Sequence, residues 1–103
     1  MRFLVKVNFP NNPANALAKG GKLAEIIQSI LADQKAEAAY FTDNKGMRTG
    51  FIVLNMQDAS QIVAISEPWF LALNAAIEIH PVMVPEDLDK GREAMEQAAK
   101  KYG

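Results

Sequence analysis

Polar and apolar residues alternate near the start of the chain, in residues 2–9, RFLVKVNF, and this segment limits the possible folds more than any other. Its odd-numbered positions are all apolar, whereas its even-numbered positions include both Leu4 and Lys6. A period of two predicts a β-strand. Because apolar residues occur on both faces of this strand, we expect a central strand in a sheet that is covered on both sides.

The rest of the chain continues the pattern of a small mixed fold. Helical periodicity runs through residues 13–34, with glycines at 20 and 21 that predict a kink. Strands are predicted at 37–43 and 47–56, joined by a DNKG turn in which Asn44 and Gly46 are able to take positive φ.

A second helix is predicted after Asp58 and Gln61, which resemble a capping box, and we expect Pro68 to end it. A fourth strand follows at 75–84. Residues 86–102 are helical again and carry a weak apolar stripe with a spacing of seven. The stripe consists of Leu88, Met95 and Tyr102.

This order predicts one α+β domain over residues 1–103: a ferredoxin-like βαββαβ antiparallel sheet with the order 4-1-3-2 and an added C-terminal helix. Both internal helices then cover one face. The other face is left bare although Leu4, together with Ile52 and Leu54 or their alternates, must point there. We therefore expect a homodimer or higher oligomer that closes two sheets into a dimeric α+β barrel, with the C-terminal helix bracing the partner or the sheet edge.

Composition narrows the function classes. Eleven basic against twelve acidic residues give a net charge of −1, which argues against nucleic acid or an anionic membrane as partner. The absence of cysteine excludes disulfides and thiolate catalysis, and the single histidine argues against a metal site. We expect neither a signal peptide nor a membrane helix, and hence a cytoplasmic location.

Three side chains are the best candidates for chemistry. Lys6 lies in the middle of a central strand, and Glu78 or His80 of the fourth strand can face it across the ladder. Such a group is suited to moving a proton near a carbonyl or lactone. The alternative is a structural Lys6–Glu78 pair contributing a few tenths of a kcal/mol, with His80 at the strand end.

Further candidates lie outside this group. Tyr40 and Arg48, on the hairpin strands, are able to bind an acidic group of a ligand together, although surface positions explain both. Trp69 and Phe70 follow Pro68 and are placed either at a pocket mouth or as a plug at the end of the core.

Two short segments resemble muconolactone isomerases. Residues 3–7, FLVKV, resemble their first strand, which reads F-x-V-K. Pro68-Trp69-Phe70 followed by Ile77-Glu78-Ile79 resembles their P-x-F segment and the I-E-V core of their last strand. The resemblance implies a ferredoxin-like fold, a dimer or larger ring, and a cofactor-free pocket between sheet and helices. It places Lys6 and Glu78 at matching positions for the shift of a double bond in an unsaturated lactone.

The sequence thus leaves three readings. The first is a protein that binds a small organic molecule, in its most specific form a cofactor-independent isomerase. The second is a non-catalytic ligand-binding or assembly module. The third is a cofactor-free monooxygenase acting on aromatic or polyketide-like compounds. A cavity reached by Lys6 or His80 favours an enzyme, whereas fully paired side chains without a cavity favour the module.

Overall fold

A computed structural model describes all residues, 1–103, as four strands and five helices. In chain order these are β1 (Arg2–Phe9), α1 (Asn11–Lys19), α2 (Leu23–Gln34), β2 (Ala38–Asn44), β3 (Met47–Asn55), α3 (Gln61–Leu73), β4 (Ala76–Pro81), α4 (Pro85–Lys90) and α5 (Arg92–Tyr102). No helix has both the length and the apolar character that crossing a membrane requires.

The strands form one antiparallel sheet in the order β2-β3-β1-β4. This is the predicted order read from the other edge, so the ferredoxin-like α+β prediction is confirmed. β1 and β3 lie at the centre, which fits the apolar residues on both of their faces. β2 and β4 form the two edges.

The core lies between the sheet and the helices. Val5 and Val7 of β1 and Ile52 of β3 are fully buried there, beneath Trp69 and Leu73 of α3. Burial of each such aliphatic side chain contributes about 1.5–3 kcal/mol relative to an exposed one. This face of the sheet is called the covered face below.

The first helical region is broken at its two glycines, as the sequence predicted. α1 ends at Lys19 and α2 begins at Leu23. Gly21 between them has φ +74°, a conformation that costs glycine little and other residues much. The break allows two short helices of different direction to pack against the sheet.

The β2–β3 hairpin has a tighter turn than the sequence predicted. Asn44 pairs with Met47 in the ladder, and the positive φ values belong to Lys45 (55°) and Gly46 (76°). The prediction for Asn44 is therefore wrong by one residue. Two central residues with positive φ match the right-handed twist of the flanking strands, and the ladder extends to the turn.

Helix α3 passes through Pro68, which contradicts the prediction that this proline ends it. Proline leaves the carbonyl of Ala64 without its helical donor. Ala64 is solvent-exposed, whereas Trp69 and Leu73 beyond the proline are buried against the sheet. Burial of these two large side chains outweighs the local cost. The predicted capping box forms only in part. The side chain of Gln61 accepts a hydrogen bond from the Asp58 amide at 3.0 Å, but Asp58 Oδ1 accepts from the Ser60 amide, and Ser60 is the N-cap of α3.

Near the end of the chain, the last strand is shorter than predicted and the C-terminal helix is divided in two. β4 stops at Pro81, and the C-terminal helix divides at Gly91 into α4 and α5. Neither α4 nor α5 contains a buried residue. The chain as a whole measures 59 × 28 × 20 Å.

Candidate functional site

The face of the sheet that points away from the helices is the candidate site, and we call it the open face. Ladder register arranges its side chains in three rows that cross all four strands. In the order β2, β3, β1, β4 these rows are Tyr40-Phe51-Lys6-Glu78, Ala38-Val53-Leu4-His80 and Thr42-Thr49-Asn8-Ala76. The parity of each strand sets these rows, because side chains two residues apart point to the same face.

The central row contains the predicted pair. Lys6 lies directly opposite Glu78, and its Nζ is 3.3 Å from Glu78 Oε2. The Lys6 side chain is 21% exposed, compared with 56% for Glu78 at the sheet edge. The lysine is therefore held among its neighbours while the carboxylate remains accessible.

Apolar side chains surround this ion pair. Phe51 is the cross-strand neighbour of Lys6 on its other side, and Leu4 and Val53 form the next row. All three are partly buried although no helix covers them. An apolar surface with one charged pair at its centre suits a ligand that has a planar or apolar body and an anionic group.

His80 lies in the adjacent row, opposite Leu4, and is exposed. It is two residues from Glu78 on the same face of β4. Ladder geometry separates it diagonally from Lys6 by about 7 Å. The structure thus brings Lys6, Glu78 and His80 onto one face, as the alternation predicted.

In the third row, two polar residues that sequence reasoning missed are joined by a hydrogen bond. The hydroxyl of Thr49 is buried and donates to Asn8 Oδ1 at 2.9 Å. Asn8 shares the parity of Lys6, which was a usable signal. No such signal existed for Thr49, because the face on which its side chain lies depends on the register of the hairpin.

Tyr40 and Arg48 do not form the joint anion site that the sequence suggested. Tyr40 is on the open face, whereas Arg48 pairs with Phe9 and Asp43 on the covered face. Arg48 Nη1 donates to Asn15 Oδ1 of α1 at 2.8 Å. The predicted strands left Asn44 in the turn, and this error of one residue obscured the parity, so the suggestion of a shared site is wrong.

Trp69 belongs to the core and not to a pocket mouth. It is fully buried on the covered face, with its ring centroid 5.7 Å from that of Phe9. Its indole N–H has no hydrogen-bond acceptor. Of the two readings given for this residue, the structure matches the plug at the end of the core, and the sheet separates it from Lys6.

Cavities of the single chain lie elsewhere. A cleft of about 530 Å³ opens between α2 and α3 above Leu54, and an apolar hollow of about 620 Å³ lies beside the ends of β1 and β4. No cavity is lined by Lys6, Glu78 or His80. The pocket between sheet and helices that the resemblance implied and the residues assigned to it therefore lie on opposite sides of the sheet.

Comparison with known families gives one assignment. A family model described as a domain of unknown function, DUF3303, matches residues 1–99. The chain belongs to the DUF3303 family. A search of curated proteins gives no significant match.

Solved structures similar to this DUF3303 protein share its fold at low sequence identity. One is a 5-chloro-2-hydroxyhydroquinone dehydrochlorinase from Burkholderia phenoliruptrix AC1100, in complex with 2,5-dihydroxybenzoquinone. It has a TM-score of 0.60 and 15% identity, and the match covers 84% of this chain and 98% of that one. Another is a formyltetrahydrofolate deformylase from Pseudomonas putida KT2440, with a TM-score of 0.50 and 12% identity over 80% of this chain. The match spans only 29% of the deformylase. These likenesses support the ferredoxin-like fold.

Proposed function

We propose that this DUF3303 protein is a self-associating, small-molecule-binding protein in which two open faces pack together and enclose the ligand. The observation that carries the proposal is the central row of the open face. It places a largely buried lysine and its carboxylate partner among apolar side chains that no helix covers.

The surface of the single chain supports self-association. A compact monomer of 11.3 kDa exposes about 5,700 Å², whereas this chain exposes 7123 Å². The excess is about 1,400 Å², and a standard interface buries about 800 Å² on each partner. The radius of gyration, 17.3 Å, also exceeds the roughly 13 Å of a compact domain of this length.

The ligand that this face suits is a small, hydroxylated or carboxylated ring compound. Its ring packs on Phe51 and Leu4, and its anionic oxygen meets the Lys6 ammonium. The structural neighbour in complex with 2,5-dihydroxybenzoquinone has a ligand of this kind. A second copy over the open face excludes water and strengthens the charge interaction.

In the more specific form of the proposal, the protein is an isomerase that needs no cofactor. Glu78 accepts a proton from a carbon next to the substrate carbonyl, and the Lys6 ammonium stabilises the resulting enolate oxygen. His80 returns a proton at the far end of the conjugated system. The double bond moves, and no electrons leave the substrate.

The test uses 2,5-dihydroxybenzoquinone as a probe, followed by its change in absorbance on binding. We expect Lys6→Met to weaken binding at least tenfold, because the cation is lost. The matched control Lys19→Met, on the helix side of the molecule, is expected to bind like the original protein. Equal binding by Lys6→Met and the control contradicts the proposed ligand site.

Turnover is tested separately with an unsaturated lactone acid, by proton NMR in D₂O. A proton-transfer enzyme exchanges the acidic carbon-bound hydrogen for deuterium and shifts the double bond. Glu78→Gln is expected to abolish both signals. Retention of either signal at the original rate in Glu78→Gln contradicts the isomerase form.

A second candidate function is an assembly module without a ligand. It is favoured by the closed Lys6–Glu78 contact and by the absence of a cavity at either residue. Under this reading the protein dimerises without binding the probe. The double variant Lys6→Met/Glu78→Gln then remains dimeric in analytical ultracentrifugation.

A further inference from the structure

The C-terminal arm, residues 82–103 with α4 and α5, carries an apolar stripe that its own chain leaves uncovered. Leu88, Met95 and Tyr102 are 52%, 59% and 79% exposed. On α5, Met95 and Tyr102 share one side with the small residues Ala98 and Ala99. An isolated helix of 11 residues is only marginally stable in water, so we expect this apolar stripe to pack against another surface.

The apolar hollow beside the ends of β1 and β4 is such a surface. It lies between the start of α3 and the edge of the sheet and has a volume of about 620 Å³. Its apolar lining includes Phe3, Met56, Ile62, Ile79 and Pro81. The space is large enough for several side chains of an approaching helix, and it is open on one side.

The start of the arm is anchored to the sheet by a backbone hydrogen bond. The amide of Val82 donates to the Arg2 carbonyl at 3.1 Å, which extends the ladder by one residue. The amide of Val84 then donates to Asp87 Oδ2 at 3.0 Å, and Pro85 occupies the first turn of α4. Beyond these anchors neither α4 nor α5 buries a residue, and the long axis of the chain measures 59 Å.

The exposed area favours a second copy as the occupant. The excess of about 1,400 Å² over a compact monomer is larger than one standard interface of about 800 Å² per partner requires. The open face and the arm are both uncovered, and a symmetric dimer covers both at once, because each chain offers one arm and one hollow.

We propose that α5 of one chain packs its apolar stripe into the hollow of a second copy, so that the arms are exchanged reciprocally. The inference deepens the proposed self-association and rests on it. It adds a second contact, outside the open face, that joins the two chains through Met95 and Tyr102 on one side and Ile62 and Ile79 on the other.

The absence of native cysteine makes disulfide trapping a clean test. The double variant Ile62→Cys/Met95→Cys is oxidised and run on a non-reducing gel, with far-UV circular dichroism to verify its fold. We expect a covalent dimer that separates into monomers when the disulfide is reduced. The matched control Ile62→Cys/Glu93→Cys places the second thiol on the opposite side of α5 and is expected to remain largely unlinked, as are both single variants.

Two outcomes overturn the arm exchange. A disulfide within one chain assigns the hollow to the chain's own arm. A folded double variant without any disulfide shows that the two surfaces do not meet.

Phe51→Asp on the open face separates the two proposals. Loss of both the dimer and the cross-link in Phe51→Asp supports the two contacts together. If the original chain is a dimer but the cysteine double variant forms no cross-link, the arm exchange is overturned and the open-face proposal stands. A trapped dimer that persists in Phe51→Asp supports the exchange and contradicts the open-face interface.

Discussion

The two faces of this sheet are made by the same strands, yet they differ in what covers them. On the covered face Val5, Val7 and Ile52 are fully buried under helices. On the open face Leu4 and Phe51 remain partly exposed beside a charged pair. The apolar residues of the open face are therefore the basis of the proposed self-association. Substitutions on each face test this difference.

Trp69→Ala tests the covered face and is expected to have the largest effect. Removing a fully buried indole leaves a cavity between α3 and the sheet and costs about 3–5 kcal/mol of unfolding free energy. Because Trp69 is the only tryptophan, urea unfolding is followed by far-UV circular dichroism. Tyr40→Ala, at the edge of the open face, is the aromatic control and is expected to cost less than about 1 kcal/mol. Equal losses contradict the asymmetry of the faces.

Phe51→Asp tests the open face. A carboxylate at the centre of an apolar interface is desolvated, and the neighbouring Lys6 ammonium is already paired with Glu78. We therefore expect dimerisation to weaken at least about 100-fold, or 2.7 kcal/mol. The chain itself stays folded, because Phe51 is only partly buried within one copy. Analytical ultracentrifugation gives the dissociation constant. Leu71→Asp, an exposed apolar-to-acidic change on α3, is expected to leave it unchanged.

The Lys6–Glu78 pair is tested by a double-mutant cycle in the stability of the protein. Lys6→Met, Glu78→Gln and the double variant are expected to give a coupling energy of about 0.2–1 kcal/mol, because Glu78 is more than half exposed. The coupling decreases with added salt. Additive effects of the two changes show that the 3.3 Å contact does not contribute to stability.

Gly50→Ala has the smallest expected effect and probes the margin of the covered face. A Cβ at this position meets the Phe41 ring at 3.0 Å, and Phe41 is half exposed and able to shift. We expect a loss of less than about 1 kcal/mol in urea unfolding. A loss above about 2 kcal/mol shows that Phe41 is held as rigidly as the centre of the core.

Alternation along β1 and β4 was enough to predict the open face and its pair. Parity alone places Lys6, Glu78 and His80 on one side, whatever the length of the turns. The strand order followed from the ferredoxin-like sequence of elements. These features depend only on local periodicity and on a common topology.

The predictions that were wrong concern features that depend on strand register or on tertiary packing. Arg48 faces the helices because the turn consists of Lys45 and Gly46 alone, one residue fewer than predicted. A change of one residue in the register of a strand moves each side chain to the opposite face of the sheet. Helix α3 continues past Pro68 because burial of Trp69 and Leu73 outweighs a lost hydrogen bond. Helix propensities and sequence motifs do not report how the free energy of burial compares with the cost of the lost hydrogen bond.

The edge strand β2 is open to pairing with a strand of another molecule. Its outer backbone groups are unpaired, and between Glu37 and Asp43 it carries no charged residue or proline that discourages strand addition. Tyr40 and Phe41 are exposed along the same edge. This edge is therefore a template for intermolecular β-pairing, and variants that cannot dimerise also expose the apolar open face beside it. We expect such variants to form insoluble aggregates at high concentration, while dilute samples remain monomeric.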